Sequence, residues 1–114
     1  MSSLAKTPSP PYYAVIFTST RTEGDQGYGA MAEQMGLLAK RQPGFLGMES
    51  VRDATGIGIT VSYWESEEAI RAWKEHAAHQ IAQERGKVEW YLNYAVRVAK
   101  VERDYGTMME RETE

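Results

Sequence analysis

The stretch that most limits what this chain can fold into is RQPGFLGMESVRDATGIGITVSYWESEEAIRAWKEH, Arg41 to His76. Pro43-Gly44 ends a helix cleanly, because proline cannot continue one and glycine accepts the turn that follows. Ser66 offers a side-chain oxygen to the free amides of a second helix, and Glu67 and Glu68 suit its positive end. Between them lie two β-branched, aromatic runs joined by Asp53-Ala54-Thr55-Gly56, a hairpin turn. A strand pair is thus enclosed by two helices, which leaves few topologies.

The flanks narrow these further. Tyr12–Arg21, YYAVIFTSTR, reads as a strand. From a cap at Asp25 to Arg41, Tyr28, Met31, Met35 and Leu38 recur at helical spacing, an ordinary core-facing stripe. The hairpin strands are Phe45–Arg52 and Gly56–Trp64. The second helix buries Ala69, Ile70, Trp73, Ala77 and Ile81 and stops at Gly86. After a transition at Lys87–Tyr91, Leu92–Glu102 forms a last strand. The order β-α-β-β-α-β predicts an α+β, ferredoxin-like unit: one antiparallel sheet with both helices on one face. It spans residues 12–105, between a Ser/Pro-rich flexible arm (1–11) and a polar tail (106–114).

At 114 residues this is one domain. A net charge of −3 gives no footprint for nucleic acid. The absence of cysteine removes disulfides, thiol nucleophiles and Cys-ligated metal. Neither a signal-like leader nor an apolar run of roughly 18 residues is visible, so a soluble, cytoplasmic protein without membrane association is expected.

Both faces of the sheet read as apolar. In the third strand Ile57, Ile59, Val61 and Tyr63 share one side, and Gly58, Thr60, Ser62 and Trp64 the other. In the first, Tyr12, Ala14 and Ile16 oppose Tyr13, Val15 and Phe17. Helices cover only one face, so a second copy is expected on the other, as a homodimer. The long last strand suits an exchange of edges.

His76 and His79, the only histidines, follow Trp73 on the second helix. At 3.6 residues per turn His76 falls on the edge of the apolar stripe and His79 on its far side, facing solvent. No further ligands complete a metal site at this spacing. Gly56-Ile57-Gly58 lacks the context of a nucleotide loop. Thr18, Ser19 and Thr20 lack a nucleophile elbow.

The phrases YWESEEAIRAWKEHAAHQIAQERGKVEWYLNY and RQPGFLGMESVRD, on this element order, resemble the antibiotic biosynthesis monooxygenase (ABM) family of dimeric α+β barrels. The resemblance covers Tyr12 to about Tyr105. It implies a cytoplasmic oxidoreductase: a cofactor-independent monooxygenase that oxidises a small aromatic phenol or quinol between helices and sheet. It points to Trp73, Tyr13, Phe17, Trp64 and Tyr94 as pocket walls. His76 is the candidate base, imidazole being the side chain best suited to proton transfer near neutrality, and His79 the second imidazole. Asn93 or Arg97 would stabilise an anion. The family's haem-degrading branch carries an Asn on the first strand, a Trp on the second helix and a more distant His. Here Trp73 fits, the first strand has no Asn, and the axial position lies near Gln83, so haem is disfavoured and no cofactor is expected. The rival class is a non-catalytic small-molecule-binding dimer of the same fold.

Overall fold

The computed structural model describes residues 4–24, 28–85 and 91–109; for 80–85 and 91–92 the backbone alone is described. The elements run β1 (Tyr12–Arg21), α1 (Tyr28–Lys40), β2 (Phe45–Arg52), β3 (Ile57–Trp64), α2 (Glu67–Arg85) and β4 (Tyr91–Val101). The expected cap Asp25, the stop Gly86 and the transition through Trp90 lie outside the described residues. The four strands form one antiparallel sheet in the order β2-β3-β1-β4, the ferredoxin-like arrangement.

Local chemistry explains the boundaries. Ser66 caps α2, its Oγ accepting the Ala69 amide at 3.1 Å. In the β2–β3 turn, Asp53 Oδ1 accepts from Thr55 N, Thr55 Oγ1 and Ile57 N. The Thr55 hydroxyl leads these contacts in holding the Asp53 carboxyl below its ordinary pKa. Gly44 closes the α1–β2 turn at φ +85°, and a Cβ there would stand 2.7 Å from that of Ala69. Only glycine fits both that backbone and that approach.

Residues directly opposed across an antiparallel sheet share a face. The register therefore puts Tyr13, Val15, Phe17 and Ser19 beside Trp64, Ser62, Thr60 and Gly58, and beside Lys100, Val98, Val96 and Tyr94. This is the helix-facing side, where α1 lies against β2 and α2 against β3. Its centre is Trp64, fully buried, edge-on to Phe45 and stacked on Trp73 with ring centroids 5.4 and 6.1 Å away. Met31, Ala39 and Ile70 complete the helix side of the core.

The other face carries Tyr12, Ala14, Ile16, Val61, Tyr63 and Ala99. Part of it is covered by the chain's own ends. The Ala5 amide donates to Glu49, and Ala5 packs over Gly47. Thr7 donates to the Tyr12 hydroxyl, which donates to Asp104. Within the arm that composition marks as loose, Ala5 meets Glu49 and Gly47 of β2, distant in sequence. Leu4, Ala5, Glu49, Tyr105 and Met109 line one cavity of about 270 Å³ there. Beyond that cover Val51, Ile57 and Ile59 remain 72%, 50% and 48% exposed.

Candidate functional site

Cover over the helix-facing side is uneven. Over β2 and β3 it is complete enough to bury Trp64 entirely. Over β1 and β4 the same side of the same sheet is open: Tyr94 is 64% exposed, Val96 and Val98 52% each. Phe17 and Tyr94 lie ring to ring at 5.6 Å, tilted by 31°. Val15, Phe17, Tyr94, Val96 and Val98 thus make an apolar shelf beside the core, suited to a flat apolar ligand.

Helix α2 lies against β3, the strand beside β1. Trp73, half-buried, extends the core by stacking on Trp64. His76, one turn on, is exposed and lies 6.0 Å from the Trp73 ring. Its imidazole is therefore oriented by an aromatic face and open to solvent. His79 is exposed as well, as the helical count requires.

The sequence candidates divide between the two faces. Tyr13, Phe17, Trp64 and Tyr94 share the helix-facing side with Trp73. Asn93 and Arg97 do not: they pair with Thr20 and Ile16 on the opposite face. With Thr18, Ser19, Thr20, Tyr94 and Ala95 they line an open depression of about 280 Å³ where β1 ends and β4 begins, drawing on residues of both faces. Its lining contains neither tryptophan nor histidine. The face opposite the helices also carries Tyr63, whose phenol burial and the Glu49 carboxylate accepting its hydroxyl push up to about 12.

Sequence reasoning missed Val15, Val96 and Val98 as shelf floor, although two-residue alternation along β4 carries that signal. It also missed Arg52. From edge strand β2 this side chain crosses flat over Gly58 to reach Ser19 Oγ on β1 at 2.8 Å. Among the described residues no group of three His, Cys, Asp or Glu could hold a metal ion. No helix of the described residues is long and apolar enough to cross a membrane.

Comparison with known proteins agrees with this architecture. The sequence model of the antibiotic biosynthesis monooxygenase family matches residues 11–85. An uncharacterised protein of Bacillus subtilis, YqjZ, is 62% identical over 103 residues, 90% of each chain. Among solved structures, SnoaB of Streptomyces nogalater, a cofactor-independent oxygenase, superposes with a TM-score of 0.66. It is 10% identical, and the match covers 82% of this chain and 95% of that one. MhuD, solved with two manganese protoporphyrin IX per active site, superposes with a TM-score of 0.63. It is 23% identical, and the match covers 82% of this chain and 98% of that one. At such identities these two structures carry the fold alone.

Proposed function

The chain belongs to the antibiotic biosynthesis monooxygenase family, and from that premise we propose that it oxidises a small aromatic phenol or quinol with dioxygen on the β1–β4 shelf. The observation that carries this reading is the uncovered half of the helix-facing side. Tyr94, Val96 and Val98 lie open where a core would close over them, beside half-buried Phe17. Exposed apolar surface forfeits roughly 25 cal/mol per Å², so a ligand ring that covers it recovers that energy.

His76 is the base in this reading. It is open enough to exchange protons and lies beside Trp73, which stacks on Trp64. Removing the phenol proton leaves an electron-rich phenolate, which passes one electron to dioxygen. The two radicals recombine at a ring carbon. Protonation of the peroxide and loss of water leave a second carbonyl, so phenol plus dioxygen gives quinone plus water. The chain's part is to bind the ring and to take and return protons. Tyr13 and Trp73, backed by the buried Trp64, form the inner wall, and Phe17 and Tyr94 form the floor. Asn93, Arg97 and His79 take no part in this scheme. Their placement supports solvent or partner contacts instead.

A haem does not fit this donor set. Strand β1 offers the cleft Tyr13, Val15, Phe17 and Ser19, with no amide among them. The imidazole of His76 is laid against Trp73, and the position of the axial imidazole in the haem-degrading branch is near Gln83. A second copy belongs over the other face, where exposed Val51, Ile57 and Ile59 surround a partly covered sheet.

The deciding experiment is oxygen uptake with a panel of naphthols and quinols, with labelled dioxygen to locate the transferred atom. Turnover lost in His76→Ala supports the scheme. Turnover unchanged in that variant removes His76 as base. Saturable binding without oxygen uptake identifies a non-catalytic binder.

A further inference from the structure

We propose that Arg52 is a specificity-determining residue, so that the aromatic substrate carries a carboxylate at the Ser19 end of the shelf. This rests on the shelf reading above and adds the chemical class of the ligand.

The path of the side chain is the first observation. Arg52 pairs with Gly58 on β3, which pairs with Ser19 on β1, which pairs with Tyr94 on β4. All four are on the helix-facing side. A Cβ at Gly58 would stand 2.5 Å from Arg52 Cζ, so the missing side chain is what lets the guanidinium lie across the sheet. The guanidinium thereby reaches β1, one strand from Tyr94. Phe17 and Ser19 are two residues apart, about 6.6 Å along the strand. That is about the reach of a bicyclic aromatic acid with its rings over Phe17 and its carboxylate against the half-buried Arg52 guanidinium that covers the buried Ser19.

The second observation is what holds the cation. Nη2 donates to Ser19 Oγ at 2.8 Å and weakly to the Tyr28 hydroxyl at 3.5 Å. Nη1 donates to the Gly56 carbonyl and, at 3.5 Å, to that of Ser19. Every one of these acceptors is neutral. The neighbouring acid, Asp53, is committed to its own turn through Thr55 and Ile57. A guanidinium stays charged in any protein. Half-buried among neutral acceptors, with two bonds at the long limit, it keeps its charge and part of its fork for a carboxylate. Tyr28 stands over it at 5.7 Å with Arg21 on the same ring at 3.7 Å, so two guanidinium groups share one aromatic ring at this end of the shelf.

The test compares two probes, a hydroxynaphthoic acid and the corresponding naphthol, by tryptophan fluorescence titration of the full chain at neutral pH. Wild type is expected to bind the acid about tenfold more tightly, the scale of one charge-assisted hydrogen bond. The preference should shrink as salt rises. In Arg52→Gln the ratio of dissociation constants should fall to near one. Lys100→Gln, at the Tyr13 end of the shelf, should leave the ratio as it is. A wild-type ratio near one, a ratio insensitive to salt, or a preference that survives Arg52→Gln overturns the assignment while the shelf stands. If neither probe binds, the shelf reading fails and this one with it. Should Arg52→Gln not fold, Arg52→Lys keeps the charge without the fork and is expected to give an intermediate ratio.

Discussion

Two halves of one sheet face meet opposite fates. On β3, Trp64 is completely buried between Phe45 and Trp73; on β4, Tyr94 is 64% exposed, although both side chains point to the same side. Residue chemistry does not separate them, since both are large aromatics in strands. What separates them is helix placement: α1 lies against β2 and α2 against β3, leaving Tyr94, Val96 and Val98 of β4 exposed. In the reading proposed above, a core and a binding surface are the same construction with and without a lid. Substitutions in the first should therefore cost stability, and those in the second affinity.

Trp64→Ala should break the closed half, at about 3–5 kcal/mol by chemical denaturation, since a large ring is removed where nothing collapses easily. Gly44→Ala comes next, at about 1–3 kcal/mol. It forces an unfavourable φ and drives a methyl into Ala69, pushing the start of α2 off the turn that seats it. Ser66→Ala should cost about 1 kcal/mol by loss of the cap that starts the covering helix. A smaller, alkaline effect belongs to the opposite face. The folded chain keeps the Tyr63 proton up to about 12, while an unfolded phenol releases it near ~10. The stabilisation is whole below the lower value and is lost as pH rises through the window. Thermal scans of Tyr63→Phe should show a shallower decline there. Last, Tyr94→Ala should move stability by no more than about 0.5 kcal/mol, as for a surface site. It should nevertheless weaken naphthol binding roughly three- to tenfold, on the scale of one aromatic contact. If Tyr94→Ala unfolds the chain instead, the open half is core after all.

Most of the fold was legible because its signals are local. Pro43-Gly44, the Asp53–Gly56 turn and the Ser66 cap each act within a few residues, and β1 and β2 begin and end where their β-branched runs do. The faces of β1 and β3 followed from alternation, whereas Tyr13, Phe17, Trp64 and Tyr94 were singled out by the family resemblance, and the register places all four on one face. The same alternation on β4 separates Asn93 and Arg97 from Tyr94, yet all three entered one candidate set because they are neighbours in sequence. Arg52 was beyond reach, since its meaning depends on Gly58 and Ser19 lying beside it in register. The Ala5 contact was equally hidden: Ala5 meets Glu49 across 44 positions. Composition reports no such partner.

The cavity shared by Leu4 and Met109 has a consequence for the chain as a path. Between Leu4 and Met109 the described backbone comes back to its own beginning and is nearly a closed loop. Its most distant pairing, Tyr12 with Val101, is distant only because the loop is cut there. A short peptide joining these ends, with new ends opened in the exposed turn at Ala54 and Thr55, would turn β1 and β4 into sequence neighbours and β2 and β3 into the remote pair. Topology largely sets folding speed. Such a rearranged chain should reach the same sheet with its slowest closure moved from one edge pairing to the other.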